Sequence, residues 1–433
     1  MPPAGIFLDR GSVGELLRLH DSDSRLWCQP SFEDAAVQNN PHTTLITANA
    51  PVSANTHGGR TKCLQRLVRL DLPVPRTVGL SFDAVHKIAR GEMPDMALLL
   101  SPFEAGELLC VRPSSEDPDW GGPSAILNIG MNDARLADLS QRLGGEATAS
   151  LYARFVHSYA VTVARLDPDV FDEIGMEGQV SLAAALRAYE EETDEPFPQD
   201  PAVQLSEVLR SMARAWDGTS ARLLRQAKGA PADAGLGLVV QSMALGFGKG
   251  ECGSGVLQLI DRETGLGQLT GRYLSQSQGR DALEGGAAAL FLERDERGPS
   301  LEELAPEAFA NLIDYAGLMR RKLREEMQVE FVIEDGALHI LDGVRVARSS
   351  RAAVRIVVAL ADDKIISRAE ALMRIQPRTL TEMLHRQVDP NSKRDLIGTG
   401  IAASPGAATG KIVFSASEAQ ASAARSEACI LVR

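Results

Sequence analysis

What most limits the fold of this chain is a long run, Asp133 to Lys228, in which apolar residues recur at helical spacing, set between two stretches of mixed strand and helix character. Leu151–Leu166, Val180–Glu190 and Val203–Trp216 carry that spacing, and Phe197-Pro198-Gln199-Asp200-Pro201 interrupts it. Upstream, Cys63–Leu70 reads as a helix, Leu72-Pro73-Val74-Pro75 as a turn, and Thr77–Leu80 and Leu108–Val111 as short strands. Downstream come strand candidates Leu238–Ala244, Gly255–Ile260 and Gly271–Leu274. A helix over Glu307–Met327 then leads into a hairpin, Val329–Ile333 with Ala337–Leu341, turned at Asp335-Gly336. Ser349–Asp362 and Ser367–Arg374 read as linker helices. The expected fold class is α+β: two α/β subdomains (46–132 and 236–346), a helical insert (133–235) and a helical linker (347–397). Residues 1–45, with a helix-like stretch near Val13–Leu19, form an N-terminal extension. Residues 398–433 read as the incomplete start of a further β/α domain, a turn at Ser404-Pro405-Gly406 and a strand over Lys411–Phe414, with Ile430–Arg433 as its next strand.

At 44% hydrophobic residues in 433, the chain has ample material for packed cores. A formal charge of −13 argues against non-specific binding to nucleic acid or an anionic membrane surface, but not against a local basic pocket for phosphates. No apolar run approaches the roughly 18 residues of a membrane span, and no secretory signal is visible. Cys28, Cys63, Cys110, Cys252 and Cys429 are scattered, without CxxC spacing. Reduced thiols and a cytoplasmic location are expected, with neither a zinc site nor a disulfide framework.

Five groups of residues carry chemistry. Gly58-Gly59-Arg60-Thr61-Lys62 precedes a helix, where free N–H groups and basic side chains favour an anion; a glycine-assisted cap with solvated bases is the plainer alternative. Arg112, in Val111-Arg112-Pro113-Ser114, taken alone reads as a surface arginine near Glu116 and Asp117. Gln241-Ser242-Met243-Ala244 ends an apolar strand, and suits either the apolar slot that an adenine needs or core packing. Gly253 and Gly255 let backbone amides close over phosphates, or mark a plain hairpin turn. Glu330 and Asp342 flank one hairpin and, taken alone, read as solvated strand-end acids.

In order and at compatible spacings, these segments resemble the pyruvate phosphate dikinase and phosphoenolpyruvate synthase family, over roughly residues 47–433. Gly58–Ser81 resembles the family's opening Gly-Gly-Lys-Gly, helix, Leu-Pro-Val-Pro and strand, with Arg60 at the position of the nucleotide-contacting lysine and Thr61 at that of the next glycine. Val111–Ser114 resembles Val-Arg-Ser-Gly, whose arginine contacts the polyphosphate, although the loop that follows is replaced by Asp119–Ala125. Gln241–Ala244 resembles the hinge Gln-Ala-Met-Val, and Gly250–Val256 the segment Asp-Thr-Ser-Gly-Thr-Gly-Val. Weaker echoes are Arg154-Phe155, Phe197–Pro201 and Arg214-Ala215-Trp216.

The resemblance implies an ATP-grasp-like nucleotide-binding domain that uses ATP and Mg²⁺. Arg60 and Arg112 would bind phosphates, Gln241 and Met243 the base, Gly253 and Gly255 the polyphosphate loop, and Glu330 and Asp342 the metal. Glu330 matches a family glutamate, Asp342 replaces a glutamine, and Arg272 stands where a second glutamate is expected. A unit cation about 5 Å from a divalent ion opposes it by on the order of 6 kcal/mol at an effective dielectric near 20. Arg272 therefore points away, supplies the charge itself, or marks a site that does not turn over ATP. The C-terminal segment resembles the start of the family's phosphohistidine domain, whose catalytic histidine lies further on; His385 is the last histidine here. The expected function is the ATP-binding part of a dikinase-like phosphotransferase, acting with a phosphohistidine domain in trans or beyond Arg433. The alternative is a decayed or regulatory nucleotide-binding pseudo-enzyme. A stand-alone ligase is disfavoured, because no acceptor motif is visible.

Overall fold

Short runs of β-branched and leucine residues build two antiparallel sheets in the computed structural model, which describes residues 42–175, 178–278, 289–385, 388–389, 392–393, 395 and 406–432. The first sheet contains β1 (Thr43–Leu45), β2 (Thr77–Leu80), β3 (Leu109–Ser115), β4 (Ile126–Ile129) and β5 (Leu236–Ser242), in the order β1-β2-β5-β3-β4. Every pairing is antiparallel. β5 follows the helical run in sequence, and grouping by sequence assigned it to the downstream subdomain. It is instead hydrogen-bonded between β2 and β3, with Gln241 opposite both Thr77 and Cys110. All of β5 is buried, and a strand apolar on both faces belongs in the middle of a covered sheet. The helical run is thus an excursion between β4 and β5 of one sheet.

The helices of that excursion include Asp133–Leu143, Gly145–Tyr159, Gly178–Thr193 and Pro201–Asp217. The segment that interrupts the helical periodicity supplies their hub. The Phe197 ring meets Tyr152, Phe155, Tyr159 and Tyr189 edge-on, at centroid distances of 5.9, 5.5, 5.2 and 5.2 Å.

The second sheet contains β6 (Gly253–Ile260), β7 (Gly267–Ser275), β8 (Met327–Glu334) and β9 (Ala337–Arg345), in the order β7-β6-β8-β9, all antiparallel. The β8–β9 turn has positive φ at Asp335 (47°) and Gly336 (82°), as the Asp-Gly pair predicts. Phe331, Ile333 and Ile340 pack with Leu312, Ala316 and Met319 of the helix Pro306–Met319, and with Leu64 and Leu67 of the helix Ala54–Arg69. A helix from the first block therefore shares the core of the second sheet. Gly253 and Gly255 lie within β6, where space is tight. A Cβ on Gly253 would stand 2.6 Å from Tyr273 Oη, and one on Gly255 would stand 2.4 Å from Phe331 Cζ. Those two rings lie parallel, with centroids 6.1 Å apart.

Helices Ser350–Asp362, Arg368–Met373 and Pro377–Leu384 follow, then β10 (Lys411–Val413) and β11 (Cys429–Leu431), which pair in parallel on either side of the helix Ala416–Ala424. The stretches Val13–Leu19 and Ser404-Pro405 lie outside the described residues. Among the described residues no helix is long and apolar enough to cross a membrane.

Gly255→Ala should lower stability by about 1–3 kcal/mol through overpacking against Phe331, read as a shifted urea midpoint. Gly267→Ala, with nothing within 4 Å of the added methyl, is the matched control and should change stability by no more than about 0.5 kcal/mol.

Candidate functional site

The helix Ala54–Arg69 is broken at Gly58, whose backbone (φ 85°, ψ 166°) suits glycine, and the helix restarts at Gly59. A Cβ at Gly58 would lie 1.8 Å from the Ser114 carbonyl oxygen, so only glycine lets the helix approach β3 this closely. Ser114 fastens the approach. Its hydroxyl donates to His57 O (2.7 Å) and accepts from Thr61 N and Thr61 Oγ1 (3.1 Å each). Arg60, in the first turn after the break, is thereby held against β3, and its Nη1 donates to Pro113 O.

On the opposite side stands the β8–β9 hairpin. Phe331 pairs with Ile340, but Glu330 pairs with Asp342, so Leu341 is an extra residue in β9. Side chains alternate along a strand, so without this bulge Asp342 would turn to the core face with Val329. The bulge places Asp342 beside Glu330 instead.

Four charges then meet. Arg60 Nε donates to Asp342 Oδ2 at 2.5 Å, and Arg112 Nη2 donates to Glu330 Oε2. Arg112 Nη2 also lies 3.6 Å from Asp342 Oδ2, and its Nη1 donates to Leu341 O at 2.9 Å. The Asp342 side chain is 0% exposed, and its Oδ1 accepts from Gly343 N at 2.8 Å. Burial by itself would raise the Asp342 carboxyl; Arg60 and Arg112 outweigh it and hold the group below the usual carboxylate range. Burial would lower the Arg112 guanidinium, but Glu330 and Asp342 push it up. Cys63, whose Sγ donates to Gly343 O at 3.0 Å, has its thiol pushed up to about 12 by burial and by Asp342. It is therefore a packed thiol and not a nucleophile.

Beside this cluster opens a cleft of about 480 Å³, a size suited to a small ligand. Among the described residues that line it, Arg60, Lys62, Arg66 and Arg345 are cationic, and Glu325 is the one acid. Glu325 is itself engaged: Arg348 donates to both its oxygens (2.9 and 3.1 Å), and Arg345 and Arg374 lie at 3.3 and 3.9 Å. The cleft wall is accordingly electropositive.

The remaining expected site residues are placed elsewhere. Gln241 is buried in β5, where its Nε2 donates to Thr77 Oγ1 at 3.0 Å. Met243 follows β5, its N–H donates to Leu108 O at 2.9 Å, and its side chain packs on the core of the first sheet. Neither lines the cleft, nor do Arg112, Glu330 and Asp342; of the four clustered charges Arg60 alone belongs to its lining. Gly253 and Gly255 lie under the stacked Tyr273 and Phe331 rings. Among the described residues no group of three or more His, Cys, Asp or Glu side chains is arranged for a metal ion, and Glu330 with Asp342 is a pair. Sequence reasoning missed the pairing of Arg60 with Asp342, the role of Ser114 and the Leu341 bulge. One signal for the first was available, since an arginine and an aspartate both appear where the resemblance expects other residues.

Several curated relatives match the chain. The pyruvate, phosphate dikinase of Rhizobium meliloti (strain 1021) is 35% identical over 352 residues, which is 75% of this chain and 39% of the relative. That of Clostridium symbiosum is 30% identical over 348 residues, 75% of this chain and 39% of the relative. Pyruvate, phosphate dikinase 2 of Oryza sativa subsp. japonica is 28% identical over 412 residues, 87% of this chain and 46% of the relative. The chain thus spans less than half the length of these relatives. No protein-family model matches it.

Burial would raise the Glu325 carboxyl, but Arg348 and Arg345 hold it below its ordinary value. Its contribution to stability is therefore whole above the unfolded value of about 4.3 and is lost as pH falls through the folded one. The difference in unfolding free energy between wild type and Glu325→Gln should narrow between neutral pH and about pH 3 in urea titrations. A difference that widens towards acid would contradict this assignment.

Proposed function

We propose, for a chain that belongs to the pyruvate, phosphate dikinase family, that the cleft beside the Arg60–Asp342 and Arg112–Glu330 pairs binds ATP in the manner of an ATP-grasp domain, as the nucleotide-binding portion of a dikinase-like phosphotransferase. The single observation that most supports this is the meeting of the four side chains. Two guanidinium groups, which match phosphate oxygens in geometry and charge, lie against two carboxylates, which match a hard cation. Mg²⁺ is commonly held by one or two carboxylates, with phosphate and water oxygens completing its shell, and Glu330 and Asp342 on one face of the hairpin fit that role. When bound, the ion would offset the charge of the polyphosphate. Arg60 and Arg112 would orient the phosphates, with Lys62, Arg66 and Arg345 along the cleft adding positive potential. Gln241 and Met243 lie outside the cleft lining, so they enter this reading as supports, Gln241 holding β5 to β2 through Thr77 and Met243 packing on the first core. Gly253 and Gly255 enter this reading through the room they give Tyr273 and Phe331. The phosphoryl acceptor would be a histidine on a phosphohistidine domain, in trans or beyond Arg433, with pyruvate as the final substrate.

A second reading, a nucleotide-binding module without phosphoryl transfer, is favoured by Arg272. Arg272 is paired with Val256, and Val256 with Glu330, so two strand spacings separate Arg272 from Glu330, about 10 Å between Cα atoms. A charge separation of that order would oppose a divalent ion beside Glu330 by about 3 kcal/mol at an effective dielectric near 20, before screening by salt and by the group that Arg272 itself contacts. Such a term weakens metal binding without forbidding it.

Calorimetry with ATP and Mg²⁺ tests both readings. Wild type should bind, and Arg112→Ala should weaken binding by about tenfold or more. Absence of heat at millimolar ATP would overturn the nucleotide reading. Binding without phosphoryl transfer to an added phosphohistidine domain would favour the second.

A further inference from the structure

The four-charge cluster has a property that neither pair has alone. Asp342 serves both arginines, at 2.5 Å to Arg60 Nε and 3.6 Å to Arg112 Nη2, while Glu330 holds Arg112 from the other side. The side chains are 20%, 11%, 0% and 23% exposed for Arg60, Arg112, Asp342 and Glu330, so water can replace little of what any partner supplies. A polyphosphate that took the arginines by itself would leave Asp342 buried without a counter-charge. A divalent cation that took the carboxylates by itself would strand Arg112 in the same way. Either exchange is strongly unfavourable. If both ligands enter together, every charge keeps a partner, arginine to phosphate and carboxylate to metal.

We propose that Asp342 is an internal lock on the polyphosphate site, holding Arg60 and Arg112 until a divalent cation takes its carboxylate, so that metal and polyphosphate are admitted together and neither alone. This rests on the nucleotide reading above. It goes beyond that reading by assigning Asp342 a second role, as the ligand that the polyphosphate must displace. The geometry also fixes where the lock acts. Arg60 comes from the restarted helix beside β3, and Asp342 from the bulged strand β9, so the lock joins the two blocks beside the cleft, with Arg60 as its member in the cleft lining.

The test is calorimetric titration of the full chain with ATP, with and without Mg²⁺, the metal-free arm containing a chelator, and with Mg²⁺ alone. Wild type should bind ATP about tenfold or more tightly with Mg²⁺ than without, and should give no heat with Mg²⁺ alone. Asp342→Asn, nearly the same shape but uncharged, should bind metal-free ATP about tenfold more tightly than wild type and depend less on Mg²⁺. The paired variant Arg60→Lys with Asp342→Gln should behave like Asp342→Asn, and answers the question if the single variant melts early. Metal-free affinity unchanged or weaker in a folded Asp342→Asn or paired variant overturns the lock. Wild type binding ATP equally well with and without Mg²⁺ also overturns it, yet leaves the nucleotide site standing. No ATP binding by any protein under any condition overturns both.

Discussion

Removal of charge from water governs this structure. A guanidinium or carboxylate taken out of solvent loses several kcal/mol of hydration, and keeps its place only where opposite charge and hydrogen bonds replace it. Asp342 meets that demand fully, with Arg60, Arg112 and the Gly343 N–H around its two oxygens. Because Arg60 and Arg112 come from around the first sheet and Asp342 and Glu330 from the second, satisfying the charges also fixes how the two sheets face each other. The shared core of Leu64 and Leu67 with Phe331 and Ile340 supplies the apolar part of the same contact.

Small backbone irregularities do the aiming. The break at Gly58 lets the helix restart within hydrogen-bonding distance of Ser114 and turns Arg60 into the cleft wall. The extra residue at Leu341 reverses the facing of β9, so that an acid which would otherwise enter the core stands beside Glu330. The carbonyl of Leu341 then accepts from Arg112, so the residue that causes the reversal also anchors the cation it serves. Each device is local, and each acts on a partner far away in sequence.

Local devices are what the sequence reveals best. The strand Thr77–Leu80 and the Asp335-Gly336 hairpin follow from β-branched runs and turn chemistry within a few residues. The place of β5 between β2 and β3 does not, because nothing in Leu236–Ser242 says which earlier strands it will join. The bulge is invisible for a similar reason: Ile340, Leu341 and Asp342 alternate plausibly until the backbone partners are known. The candidate residues Arg60, Arg112, Glu330 and Asp342 were legible one at a time, from glycine context, charge and resemblance. Their union was not, since Arg60 and Asp342 stand 282 residues apart. Gly253 and Gly255 illustrate the opposite hazard. A glycine-rich segment invites a phosphate reading, while the pressure comes from the Leu274 carbonyl and the Tyr273 side chain at Gly253 and from the Phe331 ring at Gly255.

The net charge bears on the same site. With −13 overall, the chain repels a polyanion at long range, which taken alone disfavours a phosphate site. At physiological ionic strength the Debye length is about 8 Å, so charge spread over the far surface is largely screened at the cleft. On the cleft wall the ligand meets Arg60, Lys62, Arg66 and Arg345, against Glu325, whose charge is already shared with Arg348. Local composition therefore decides the sign of the field that a ligand feels. An acidic chain can carry a cleft wall rich in cations, because the acid in that lining, Glu325, is held by Arg348 before any ligand arrives.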